Sequence, residues 1–272
     1  MHDDERSHHQ GLQQDLRVLR TMADRRQVLR LMAGASLIPL LGCGGAGDDE
    51  SAMPGESSGD ATACTRIPEE TAGPYPGDGS NGANALLLSG IVRSDIRASI
   101  AGATGVAQGV PLTVNLTLVN SASGCAPLVG YAIYLWHCDR AGLYSMYSAG
   151  VTQENYLRGV QVTDSAGKVS YTTIFPGCYA GRWPHIHFEM YPSVASTSSW
   201  RNKVATSQLA LPKTRCDEAY AATGYAQSVV NLRNISLATD NVFRDGYATQ
   251  LATVTGSVAT GYVAELVVGI AR

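Results

Sequence analysis

The chain has 272 residues, 44% hydrophobic and 16% charged, with a formal net charge of −3. That length supports one substantial core or two small ones. The near-neutral balance, with no basic run longer than two residues, leaves no electrostatic footprint for nucleic acid.

In chain order the first feature is residues 22–43, MADRRQVLRLMAGASLIPLLGC. Arg25 and Arg26 precede an apolar run from Leu31 to Leu41 that is too short to span a bilayer and is shaped like an export-signal core. The arginine pair resembles a twin-arginine signal, and Leu40-Leu41-Gly42-Cys43 resembles a lipobox, with Cys43 as the lipidated residue. We therefore expect an export signal over 1–42, with translation starting at Met1 or Met22. A flexible Gly-rich, acidic tether over 43–62 and a single domain over 63–272 follow. The expected location is a periplasmic or cell-surface lipoprotein, exported by the twin-arginine route. His2, His8 and His9 leave with the signal, so only His137, His185 and His187 remain.

Residues 64–84, rich in Gly and Pro, read as loop. Strand signals follow at 85–92, 110–120, 131–139, 167–175, 183–191, 204–211, 248–256 and 262–270, several alternating apolar and polar residues. Asp164-Ser165-Ala166-Gly167 reads as a hairpin loop. Only 215–235 has a helical pattern. Many short strands with turns between them predict an all-β fold, a single sandwich of mostly antiparallel strands with long loops and little helix.

Residues 175–188 read FPGCYAGRWPHIHF. On a strand, His185 and His187 face one side and Ile186 the other. Such a pair is either a set of exposed strand histidines or two cis ligands for one metal. No CxxC or Cys/His spacing suits zinc. Tyr134, Tyr144, Tyr147 and Tyr179 lie near enough in sequence to contribute phenol oxygens, and Tyr134, inside a strand, reads as core.

Together, WHCD at 136–139, GLYS at 142–145, PGCY at 176–179 and PHIHF at 184–188 resemble the intradiol ring-cleavage dioxygenases. The resemblance runs from GPYP at 73–76 to the last strands. It implies a non-haem Fe(III) held by Tyr144, Tyr179, His185 and His187, with hard phenolate oxygens suiting a hard cation. It implies a catechol-type substrate and O2, and cleavage between the two hydroxyl-bearing carbons. Tyr179 is implied as the phenol that also takes part in catalysis. Arg182 would stabilise negative charge on the ring, Gln208 would match an active-site glutamine, and Tyr75 would border the substrate. His137 reads as a packing group behind the ligands. The resemblance leaves room for a homodimer, and the lipobox adds a membrane partner through the anchor. A catechol- or iron-binding lipoprotein without turnover is the alternative, although such a binder needs neither Arg182 nor Gln208.

Cys178 departs from the family pattern, which has tryptophan there. A thiol beside ferric iron invites oxidation, so we expect a Cys178–Cys216 disulfide. The pairing among Cys64, Cys125 and Cys138 stays open.

Overall fold

Along PLTVNLTLVN, Leu112, Val114, Leu116 and Leu118 alternate with polar residues, and this run forms β1 (Pro111–Asn120) with those four side chains buried. The computed structural model describes residues 65–272. The readings of the export signal, Cys43, the tether and Cys64 lie outside the described residues. The remaining elements are β2 (Ala126–Pro127), β3 (Ala132–Trp136), β4 (Arg158–Val162), β5 (Lys168–Ile174), β6 (His185–Tyr191), β7 (Ala205–Ala210), α1 (Lys213–Ala219), α2 (Ala226–Leu232), β8 (Thr253–Ser257) and β9 (Gly261–Ile270), with three short 3-10 turns. No helix among the described residues is long and apolar enough to cross a membrane.

The strands form two sheets, an all-β sandwich. One has the order β2-β1-β9-β8 with β5 also paired to β1; the other runs β4-β3-β6-β7. All pairs are antiparallel except β1 with β9. Between the sheets, Leu116 and Leu118 of β1 and Leu266 and Val268 of β9 join Ile133 and Leu135 of β3 and Ile186 and Phe188 of β6 in one core. Each such fully buried side chain contributes on the order of 1.5–3 kcal/mol.

Four expectations change here. Residues 85–92 are turns rather than a strand. Their apolar side chains Ala85, Leu86 and Ile91 instead pack over the outer face of the four-stranded sheet, beside Trp136 and Tyr144. Strand β4 was not anticipated, because Arg158 and Gly159 interrupt its apolar pattern. Asp164–Gly167 is a tight turn, but it joins β4 in one sheet to β5 in the other; its Asp164 carboxylate accepts from the Ala166 and Lys168 amides. The helical stretch at 215–235 is two short helices broken around Gly224, whose φ of 97° an α-helix cannot hold.

Candidate active site

Strand β6 is buried on both sides. Its residues Ile186, Phe188 and Met190 enter the core, so His185, His187, Glu189 and Tyr191 face outward beneath the loops. The two imidazoles converge, with Nε2 atoms 3.0 Å apart. His185 Nδ1 donates to the Trp183 carbonyl, which leaves its Nε2 with a lone pair. The Trp136 indole stacks on His187 at 4.8 Å and 6°. Burial, with Arg182 next for His185 and then His185 and Arg182 for His187, holds both pKa values well below the usual range. At neutral pH both rings are therefore uncharged and able to coordinate.

Tyr144 rides on a turn built by Asp139. The Asp139 carboxylate accepts from the Ala141 and Leu143 amides at 2.9 and 3.0 Å, and its carbonyl accepts from the amides of Gly142 and Gly177. That last bond ties the Tyr144 turn to the loop that carries Tyr179. Gly142 sits at φ 84°, and a Cβ there would come within 3.0 Å of the Tyr179 Cβ; a side chain would push the two phenols apart. As built, the Tyr144 and Tyr179 rings lie 5.7 Å apart, Tyr179 sits 5.6 Å from His185, and Tyr144 sits 6.3 Å from His187. Four rings thus surround one point. Tyr75 stacks on Tyr144 at 4.8 Å.

The competing tyrosines are committed elsewhere. The Tyr147 hydroxyl accepts from the Gly77 amide and donates to Asn81, while Tyr134 donates to the Pro76 carbonyl. Both His137 nitrogens are taken too, by the Cys138 carbonyl and the Thr173 hydroxyl. The hydroxyl of Tyr144 and Nδ1 of His187 are, in contrast, buried with no hydrogen-bond partner, a state that native proteins rarely tolerate. Burial and then the Tyr179 phenol push Tyr144 ionisation well above its ordinary range, with Arg182 opposing. Alone it stays protonated; a highly charged cation at the centre of the four rings would reverse that. Among the described residues no three His, Cys, Asp or Glu side chains gather to hold a metal, so a metal here must draw on the tyrosines. The donor set of two phenols and two imidazoles fits ferric iron.

Arg182 and Gln208 flank the histidines. Gln208 lies opposite His187 in the β6–β7 register. Its Oε1 accepts from Arg182 Nη2 at 2.6 Å, and its Nε2 donates to the Thr71 carbonyl. Arg182 also pairs with Asp240 at 3.0 Å, both fully buried. Asp240 accepts as well from the Trp183, Val242 and Phe243 amides. Asp240 thus orients and neutralises Arg182. No motif announces Asp240, and only its contacts reveal it. Asp139 had a weak signal, an Asp at the end of WHCD placed to cap the turn that follows.

The expected Cys178–Cys216 disulfide is absent. Both are free, buried thiols, as is Cys138, whereas Cys125 is disulfide-bonded. Two hydrogen bonds from α2 do what the bridge was expected to do: Ser228 accepts from the Cys178 amide and Asn231 donates to the Cys178 carbonyl. Burial pushes the Cys178 thiol up to about 12, so it resists oxidation as a thiol rather than as a disulfide.

A family model described as Dioxygenase matches residues 94–204. The fold is also that of an intradiol ring-cleavage dioxygenase from Tetranychus urticae, with 25% identity, a TM-score of 0.59, and 76% of this chain and 94% of that one covered. Over residues 94–204 and in its fold, this chain is similar to the intradiol ring-cleavage dioxygenases. More distant similarity extends to the dioxygenase domain of a carbohydrate-binding fusion from Streptomyces sp. SirexAA-E (23%, TM-score 0.48, 76% and 99% covered). It extends also to hydroxyquinol 1,2-dioxygenase of Pseudomonas putida DLL-E4 (15%, TM-score 0.46, 80% and 68% covered). No curated protein matches this chain.

Proposed function

We propose that this dioxygenase opens a catechol-type ring between its two hydroxyl-bearing carbons, using one non-haem Fe(III) held by Tyr144, Tyr179, His185 and His187. The product would be a cis,cis-muconate-type diacid. The observation that carries this reading is the convergence of two neutral imidazole nitrogens and two phenols on one buried point, with the Tyr144 hydroxyl unpartnered there. When bound, ferric iron supplies the Lewis acidity and redox contact that let a catecholate react with dioxygen.

The chain's own groups divide the remaining work. Tyr144 is 1% exposed and serves as a fixed donor. Tyr179 is only partly buried, so, held as a phenolate by the bound cation, its Oη would be the oxygen able to leave the cation and take a proton from a catechol hydroxyl. Arg182, oriented by Asp240 and Gln208, stabilises negative charge on the ring; one such preorganised donor is worth roughly a hundredfold in turnover. Tyr75 forms the aromatic border against which the substrate ring lies. On the strength of residues 22–43, the enzyme acts outside the cytoplasm after twin-arginine export, tethered to a membrane through a lipid on Cys43.

The test is an oxygen-uptake screen of substituted catechols with the iron-loaded protein. Uptake of one O2 per catechol, with diacid formed, is the expected result. A red-brown, iron-loaded protein that consumes oxygen with none of them would contradict turnover.

A further inference from the structure

The four strands of the outer sheet place one residue each in a single row across the site. In register, Arg158 of β4 lies opposite Trp136 of β3, Trp136 opposite His187 of β6, and His187 opposite Gln208 of β7. Trp136 stacks on His187, and Arg158 is the charged member of this row that the reaction scheme above does not use. It is 1% exposed. Its guanidinium makes five hydrogen bonds, all to neutral oxygens: Nε to Ser145 Oγ (3.1 Å), Nη1 to the Pro76 carbonyl (2.7 Å) and the Tyr134 hydroxyl (3.2 Å), Nη2 to the Tyr75 carbonyl (3.0 Å) and the Ser145 carbonyl (2.9 Å).

Four of those acceptors belong to the two segments that carry Tyr144 and Tyr75; the fifth, the Tyr134 hydroxyl, is on β3. Ser145 adjoins Tyr144, and the Tyr75–Pro76 backbone holds the ring stacked on it. Ser145 Oγ itself donates to the Tyr156 carbonyl, so its lone pairs are left to accept from Arg158. The chain also makes room for the fork. Gly77 sits at φ 63°, and a Cβ there would lie 2.7 Å from Nη1. A guanidinium has five N–H donors in a fixed plane, and all five are spent here.

The geometry points to Arg158 as a positioning residue that locks the Tyr144 turn to the Tyr75 loop and sets both phenol rings relative to His187. This rests on Tyr144 being an iron ligand, as proposed above. A lysine would keep the charge and lose the fork, so charge and geometry can be separated.

The experiment compares wild type, Arg158→Lys, Arg158→Met and Ser145→Ala in the iron-loaded full chain. It measures iron content, thermal midpoint, the visible charge-transfer band, and kcat and KM for the best catechol. Arg158→Lys is expected to bind iron stoichiometrically with a displaced band and a KM raised tenfold or more, and Lys is expected to rescue little relative to Met. Ser145→Ala, which removes one acceptor, should displace the band in the same direction with a KM raised two- to fivefold. A wild-type band and a kcat/KM within twofold of wild type in Arg158→Lys would overturn the inference. If both Arg158 variants fail to fold, wild-type band and KM in Ser145→Ala would overturn it equally. Failure of the underlying reading looks different: Tyr144→Phe would then keep the wild-type band whatever Arg158 does.

Discussion

The two faces of β6 are equally buried and are built for opposite ends. One face sends Ile186, Phe188 and Met190 between the sheets, where they meet aliphatic and aromatic neighbours. The other carries His185, His187, Glu189 and Tyr191 under loops from residues 71–91 and 139–157, where the two imidazoles converge, Tyr191 donates to Glu189 and the Tyr144 hydroxyl is buried without a partner. Burial on the first face is stability. Burial on the second keeps imidazoles neutral and phenols out of water, and its cost is borne by the first. Alternation of period two is what lets one strand do both.

Adjacent substitutions across that divide sharpen the contrast most. His187→Ala should abolish iron binding, colour and turnover while the sandwich still melts cooperatively. Its neighbour Phe188→Ala should cost about 3–5 kcal/mol of stability, yet the folded fraction should stay coloured and active. Metal analysis with denaturant titration of the pair separates the two effects, and equal loss of iron in both would erase the distinction.

The next effect concerns the polar face alone. Asp240→Asn removes the counter-charge of buried Arg182, and breaking such a pair costs about 3–5 kcal/mol. Turnover should fall roughly a hundredfold, comparable with Arg182→Ala, with the iron band retained. Steady-state kinetics beside a visible spectrum check this; unchanged kcat would reduce Asp240 to a loop anchor.

A smaller effect is the response to pH. Burial holds His137 at about 4, against 6.5 for a free imidazole. Below 6.5 the unfolded chain takes up a proton that the fold refuses until about 4, so this group lowers stability as pH falls through that window and contributes nothing above it. Between pH 6.5 and 5 the loss is about 2 kcal/mol. Glu189, raised to about 7 by burial, works in the opposite direction: it binds its proton more tightly when folded, and its contribution is lost as pH rises towards 7. The difference between wild type and His137→Gln isolates the histidine. On moving from about pH 7.5 to 5 the variant should gain about 2 kcal/mol relative to wild type by urea titration, and parallel curves would refute the assignment.

How much of this could be read from the sequence follows the same divide. The sandwich was legible because β1, β5 and β6 each alternate apolar and polar residues, and β3 is a short, wholly apolar run. The grouping of His185 and His187 was legible because i and i+2 on a strand must share a face. Residues 85–92 misled because an apolar run carries no mark that separates a strand from a loop packed over a sheet. Strand β4 was hidden because Arg158 serves the site and Gly159 makes room for Ile96, so neither follows the pattern. Asp240 lies 58 residues after Arg182 and has no local signal, and the Cys178–Cys216 bridge was inferred from chemistry that burial satisfies in another way.

The most direct test of the account is the visible spectrum of the iron-loaded protein in two single variants. Tyr147→Phe should keep the iron and the red-brown tyrosinate band, losing only the Gly77 and Asn81 hydrogen bonds, worth about 1 kcal/mol each. Tyr144→Phe should shift or bleach the band. If Tyr144→Phe keeps full colour and iron while Tyr147→Phe loses both, the centre is not the one described.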